Sequence, residues 1–308
     1  MELYLARQAG LCYGLRRALR MLENHARRQG TSSLAILEPF SDSPTANELV
    51  RSLGIRGITT LEETPDGMTL ALPLDGMDPR SEATLKDQGI PILSTSCPRQ
   101  TRAKELAYKL AKEGYPILVL GDIDDQDAAG ILDWAEYGWA EQLDGLGADR
   151  GRVFAGCVTQ PGKDAFVQVD DDVAHVSLLS SPRTNLDELG SLAAQGVRRF
   201  SQVRTYNTTC HSVTSRRIDA ERLGEICEVV IVMGRTDDRV ARLLAESAEG
   251  RGAQTILVPS IEDLADLSEQ SIATLGLIAS WDVDQGRFLA MVEHLRTTYG
   301  AQMRSTLS

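Results

Sequence analysis

Two kinds of hydrophobic pattern alternate along the chain. Short, mostly apolar runs, among them Leu34-Ala-Ile-Leu37, Met68-Thr-Leu-Ala-Leu72, Pro116-Ile-Leu-Val-Leu120, His175-Val-Ser-Leu-Leu179, Val229-Val-Ile-Val-Met233, Thr255-Ile-Leu-Val258 and Thr274-Leu-Gly-Leu-Ile278, read as strands of parallel sheets. Between them apolar residues recur every third or fourth position, as in Leu15, Ala18, Leu19, Leu22 and Ala26, then Ala103, Leu106, Ala107, Leu110 and Ala111, and finally Phe288, Met291, Val292 and Leu295. That spacing predicts amphipathic helices with one buried face. Further helices are expected around 46–53, 79–87, 131–139, 185–195 and 240–248, and further strands at 58–60 and 152–155.

The order of these elements repeats. From each of Cys12, Cys97 and Cys210 the chain runs through helix, strand, helix, strand, strand, helix and strand. The third copy lacks its last strand, and the unassigned run Glu2–Ala6 can supply it. We therefore expect an α/β protein of three small parallel-sheet lobes in pseudo-threefold arrangement, over residues 1–96, 97–186 and 187–308, with residues 2–6 completing the third sheet. Each cysteine falls where a strand ends and a helix begins, which is where open α/β sheets place their ligands.

Composition narrows the function. With 308 residues and a net charge of -12, the chain has no Lys/Arg concentration suited to a run of phosphates, so nucleic acid is not an expected partner. No apolar stretch nears the roughly 18 residues that span a bilayer, and no signal-like start is present, so a cytoplasmic protein without a membrane partner is expected. The five cysteines include no CxxC pair, which argues against a zinc ribbon. Cys157 and Cys227 read as ordinary small core residues.

Cys12, Cys97 and Cys210 differ because each holds the same place in its repeat. Thiolates gathered at one centre need a metal to neutralise them. A structural zinc site would take four protein ligands, whereas a 4Fe-4S cluster can take three cysteines and leave one iron open. Such an iron suits reductive removal of a hydroxyl or elimination of water.

The segments around these cysteines resemble the LytB/IspH family, the 4-hydroxy-3-methylbut-2-enyl diphosphate reductases. Gly10-Leu-Cys12-Tyr-Gly-Leu-Arg-Arg-Ala18 is similar to the family's G-F-C-x-G-V-x-R-A, Ser96-Cys97-Pro98 to its T-C-P, and Cys210 is followed by Thr214 and Arg216. The resemblance spans almost the whole chain. It implies three lobes around a 4Fe-4S cluster held by Cys12, Cys97 and Cys210, and an electron donor such as ferredoxin or flavodoxin.

The family's diphosphate-holding histidines have no counterparts here. Their segments correspond to Ser41-Asp-Ser-Pro-Thr45-Ala-Asn47, to Leu74-Asp75-Gly76 and to Gly121-Asp122-Ile-Asp124-Asp125-Gln-Asp127, and the family's later A-G-A-S segment corresponds to Ala279-Ser-Trp-Asp282. The candidate substrate contacts are thus Ser41, Thr45, Asp75, Asp125 and Asp282. Asp127 stands where the family has a glutamate implicated in proton delivery, so Asp127 and Asp125 are the candidate acids, although aspartates at a helix start also serve as caps. A diphosphate at roughly 4 Å from uncompensated carboxylates is repelled by several kcal/mol even at an effective dielectric of about 20. The expected reaction is therefore LytB-type reductive dehydroxylation of a different small substrate, amine-bearing or polyhydroxylated. The alternatives are a genuine diphosphate reductase of isoprenoid biosynthesis and a cluster-dependent lyase or redox sensor.

Overall fold

The computed structural model of the chain describes residues 1–121, 126–146, 157–159, 166–167, 169–264, 267 and 272–306. In chain order the elements are β1 (Glu2–Leu5), α1 (Tyr13–Gln29), β2 (Leu34–Leu37), α2 (Pro44–Arg51), β3 (Arg56–Ile58), β4 (Thr69–Ala71), α3 (Pro79–Asp87), β5 (Ile92–Leu93), α4 (Pro98–Lys112), β6 (Ile117–Leu120), α5 (Gln126–Leu146), β7 (Cys157–Thr159), β8 (His175–Ser180), α6 (Leu186–Arg199), β9 (Gln202–Thr205), α7 (His211–Ile226), β10 (Val229–Met233), α8 (Arg239–Glu249), β11 (Gln254–Val258), β12 (Thr274–Ala279), α9 (Gln285–Tyr299) and β13 (Gln302–Thr306). The strand expected at 152–155 lies outside the described residues.

These strands form three parallel sheets with one shared order: β3-β2-β4-β5, β7-β6-β8-β9 and β11-β10-β12-β1-β13. In the third sheet β1 takes the place that β5 and β9 hold in the others, pairing Glu2–Leu5 with Thr274–Leu277. The chain's start thus fills the gap left by the third copy. β13 adds an edge strand that the apolar pattern does not signal, because Gln302-Met-Arg-Ser-Thr306 carries only one large apolar residue. β9 pairs with β8, so residues 202–205 belong to the second sheet. The sheets therefore divide after β9, as the repeat implies, and not at a lobe boundary between residues 186 and 187.

The central strands β6 and β10 are buried along their whole length, as expected for parallel strands covered on both faces. Helix starts follow local chemistry: Ser43, Asp78, Asn185, Asp238 and Asp284 each accept an amide of the first turn of α2, α3, α6, α8 and α9. α9 ends at Gly300, whose φ of +63° suits a residue without a Cβ. No described helix is long and apolar enough to cross a membrane.

The chain forms two compact units, Gly14–Cys210 with the first two sheets, and Met1–Tyr13 with His211–Ser308, which holds the third. In the former, α5 packs along α4 and reaches the first sheet's loops, where Trp134 Nε1 donates to Met77 O at 3.0 Å. In the latter, the buried Arg216 donates to the carbonyls of Gln8 (3.1 Å), Ala279 (2.7 Å) and Gly10 (2.5 Å), tying the segment after β1 to the end of β12. Its position two turns into a helix after a cysteine suits an anion holder by sequence, yet its guanidinium serves the backbone. Beside it Asp219 is fully buried and accepts from Arg7 Nε and Nη2 at 2.9 and 2.7 Å.

Close packing within this unit depends on Gly224, where α7 meets α8. A Cβ there would clash with the backbone oxygen of Ala248 and lie 2.8 Å from its Cα. Gly224→Ala is expected to lower unfolding free energy by about 1–3 kcal/mol, read as a reduced urea midpoint with the folded far-UV spectrum retained.

Candidate active site

One backbone contact recurs at each cysteine. The amide of Cys97 donates to Leu74 O at 2.7 Å, that of Cys210 to Pro182 O at 2.7 Å, and that of Cys12 to Trp281 O at 2.8 Å. Each acceptor lies just past the third strand of its repeat, β4, β8 or β12, and each bond joins that strand end to the start of a helix. The residue after each acceptor is ionisable: Asp75, Arg183 and Asp282. The repeat therefore places an ionisable side chain beside every cysteine's anchor.

Cys97 is the N-cap of α4, with Pro98 starting the helix. The amides of Arg99 and Gln100 point at its sulfur. Burial nevertheless pushes the thiol above its usual range, and the nearby Cys210 and Asp127 push it the same way. The first turn of α1 packs on the same atom: a Cβ on Gly14 would sit 2.8 Å from Cys97 Sγ, so only glycine leaves the sulfur its room. Cys227 is different, since burial alone pushes its thiol up to about 12, as for an inert core residue. The side chain of Cys157 lies outside the described residues.

Next to Cys97 a charged network joins the loops of the first two sheets. Arg183, after β8, pairs with Asp127 in the first turn of α5 (Nε to Oδ2, 2.9 Å), with Asp42 through Nη1, and with Asp75 at 4.0 Å. Gln100, one turn into α4, donates from Nε2 to Asp127 Oδ1 at 2.5 Å and to Asp75 Oδ1 at 2.9 Å. Its Oε1 is buried and has no hydrogen-bond partner among the described residues. The reverse orientation of this amide would set its carbonyl against two carboxylates, which outweighs the roughly 1–3 kcal/mol of an unmet acceptor. Lys104, a turn further on, donates from Nζ to Asp75 O at 2.5 Å and passes close to Gly130, where a Cβ would lie 2.9 Å from Nζ. Burial raises Asp75 above the ordinary carboxyl range despite Arg183, and lowers Lys104 despite Asp75 and Asp127.

This geometry revises several expectations. Three carboxylates face two cations, Arg183 and Lys104, so the acidic pocket inferred from Asp75 and its neighbours is largely compensated. The repulsion argument against a diphosphate counted neither cation. Both residues were missed because a lone arginine in a loop and a lysine on an amphipathic helix look like solvated surface; the register of Arg183 with Asp75 and Asp282 in the repeat was the available signal. Asp127 is not an exposed cap, since it is 2 % exposed and accepts from Arg183 and Gln100. Asp125 lies outside the described residues.

Ser41 is buried and turned to its own loop, donating from Oγ to Asp42 and accepting the Ser43 amide, while its own amide donates to Asn47 Oδ1 at 3.0 Å. Thr45 is half-buried in the first turn of α2. Asp282 belongs to the other unit, buried, with Arg235 Nη1 at 3.6 Å. There Asp238 accepts from Ser280 Oγ and from Trp281 Nε1 (3.3 Å) while capping α8. The described residues contain no ready group of three His, Cys, Asp or Glu side chains at metal-holding positions.

Three sheets of one strand order, each followed by a cysteine-headed helix or completed by the chain's first strand, define a repeated α/β protein with its chemistry at the strand-to-helix switches. The model of the LytB protein family matches residues 3–296, and the chain belongs to this family of oxidoreductases. Among its relatives, the 4-hydroxy-3-methylbut-2-enyl diphosphate reductase of Geobacter metallireducens is 23% identical over 96% of this chain and 97% of its own. That of Dehalococcoides mccartyi (strain CBDB1) is 23% identical over 98% and 100%. The fold is shared with the solved E-1-hydroxy-2-methyl-but-2-enyl-4-diphosphate reductase of Plasmodium falciparum, with a TM-score of 0.82 at 16% identity, covering 98% of this chain and 91% of that one. It is shared also with a solved (E)-4-hydroxy-3-methyl-but-2-enyl diphosphate reductase, with a TM-score of 0.66 at 19% identity over 96% and 100%.

Arg183→Gln leaves Asp42, Asp75 and Asp127 together without the guanidinium, at an expected cost of about 3–5 kcal/mol near neutral pH. Without the cation the folded carboxyls keep their protons to higher pH than in the unfolded chain. The deficit is then full at neutral pH and shrinks as pH falls through the carboxyls' raised range. Urea midpoints of parent and variant should converge on acidification; a gap independent of pH would assign the loss to packing.

Proposed function

We propose that the chain is a LytB-type reductase in which Cys12, Cys97 and Cys210 hold a 4Fe-4S cluster and the network around Arg183 receives the substrate. The fit of a cluster rests on the room kept at Cys97 Sγ by Gly14, on the amides of Arg99 and Gln100 directed at that sulfur, and on the nearness of Cys210. When bound, such a cluster supplies electrons and an iron without a protein ligand, able to polarise a hydroxyl. Loss of a hydroxyl as water from R–OH to R–H takes two electrons and two protons. Asp75 is suited to hold one of those protons, because burial favours its neutral form and, among the described residues, Gln100 is the one hydrogen-bond donor on its Oδ1.

The observation that carries the substrate class is the saturation of Arg183 by Asp42, Asp75 and Asp127. A guanidinium already facing three carboxylates has little left for a diphosphate, whereas an ammonium or hydroxyl group meets acceptors. This supports an amine-bearing or polyhydroxylated substrate. The second reading, reduction of 4-hydroxy-3-methylbut-2-enyl diphosphate itself, is favoured by the names of the relatives and by the presence of Lys104 and Arg183 as cations.

Turnover of that diphosphate by the anaerobically prepared protein with reduced methyl viologen separates the two: the first reading expects none, and sustained product formation would establish the second. Iron and sulfide analysis tests the ligands independently. Cys12→Ser, Cys97→Ser and Cys210→Ser should each lose most of the roughly four irons per chain and the brown colour. Cys227→Ser should keep both, and retention in any of the first three would remove that cysteine from the ligand set.

A further inference from the structure

Acidic residues outnumber basic ones in this chain by 44 to 32, yet α1 and α4 reverse the balance more strongly than any other described helix. α1 and α4 together carry ten Lys and Arg against two Glu, Glu23 and Glu105. Both helices start at the same atom, since Gly14 abuts Cys97 Sγ and Cys97 caps α4. Arg17 fastens this junction by donating to Ser94 O and Ser96 O at 3.3 and 3.2 Å. Arg16, Arg20, Arg99 and Arg102 are exposed and have no ion-pair partner among the described residues. At 1.5 Å per residue they lie within about 10 Å, along their helix axes, of Gly14 or Cys97.

Unpaired exposed arginines oppose one another and add little to the fold. From this we infer that the N-terminal turns of α1 and α4 form the docking face for a small acidic electron-carrier protein, of the iron-sulfur or flavin kind, that delivers electrons beside Cys97. The inference rests on the reductase reading above, which needs an external donor of two electrons per hydroxyl removed. Each docked carrier loses one electron to the protein and leaves oxidised. Charge complementarity selects the occupant: an acidic surface is attracted to this basic face of a chain whose net charge is -12, which orients the encounter and raises its rate.

The test uses the reconstituted holoprotein and two probes, a plant-type ferredoxin and a flavodoxin. Bleaching of the visible absorption by the reduced carrier is followed by stopped flow, and binding of the oxidised carrier to the protein by calorimetry. Going from about 0.01 M to about 1 M salt, where the Debye length falls from about 30 Å to about 3 Å, the second-order rate constant for at least one carrier should drop at least about tenfold. Arg16→Glu/Arg20→Glu and, separately, Arg99→Glu/Arg102→Glu should each lower rate and affinity about tenfold at low salt. Arg27→Glu/Arg28→Glu, about 20 Å along α1 from Gly14, should change them little. Reduction by methyl viologen radical should be unaffected in the Arg16/Arg20 pair, showing that fold and cofactor are intact. Rates and affinities that ignore the Arg16/Arg20 and Arg99/Arg102 reversals, or that fall equally with Arg27/Arg28, overturn the inference. So does failure of both carriers to bind at low salt. If no cluster assembles, the reductase reading fails by itself, and the calorimetric arm still decides the docking face.

Discussion

Each cysteine is positioned by a main-chain hydrogen bond, from its own amide to the carbonyl just beyond a strand of its lobe. This contact depends on no particular side chain, so it persists through sequence change as long as the strand ends where it does. The strand end and the helix start are thereby held at a fixed separation, and the residue after the acceptor is set next to the cysteine's backbone anchor. Asp75, Arg183 and Asp282 occupy that position in the three repeats. The scaffold is thus constant while the chemistry at the switch points is free to differ, which is how one repeated lobe can present different groups around its cysteines.

In the unit of Gly14–Cys210 those groups compensate one another. Arg183 brings its charge to Asp127, Asp42 and Asp75, while Gln100 bridges two of the same carboxylates and Lys104 holds the backbone of Asp75. Burying any one of these charges alone would be unfavourable, and burying them together is tolerated because each has an opposite partner or a hydrogen bond. The network also joins the loops of two sheets through residues from five separate stretches of chain. Its polarity is therefore a property of the assembled unit.

Net acidity elsewhere gives the basic starts of α1 and α4 their significance. On a neutral protein a handful of exposed arginines would be ordinary surface, but here they are set against a chain of net charge -12 and gathered at the one sulfur on which both helices converge. The same residues that keep α1 amphipathic, with Leu15, Ala18 and Leu22 buried and Arg16 and Arg20 outside, thus shape the field around Cys97.

Element order, the threefold repeat and the switch-point location of Cys12, Cys97 and Cys210 were legible in the chain, because burial on both faces of a parallel strand and on one face of a helix leaves a local trace. The filling of the third sheet by β1 was legible for the same reason, as one copy was a strand short and one strand was spare. β13 left no such trace, being a mostly polar edge. Asp75 and Asp127 were legible as candidates, but their meaning was not: Arg183 lies 56 residues from Asp127, and nothing local marks either as the other's partner. Arg216 likewise looked available for an anion until its three carbonyl partners were placed around it. The sequence alone determined which segments form strands and helices and where the cysteines fall among them, since those follow from periodicity along the chain. Only the tertiary structure decided which charges neutralise one another, because electrostatic pairing depends on distance through space, and that distance is set by packing between sheets.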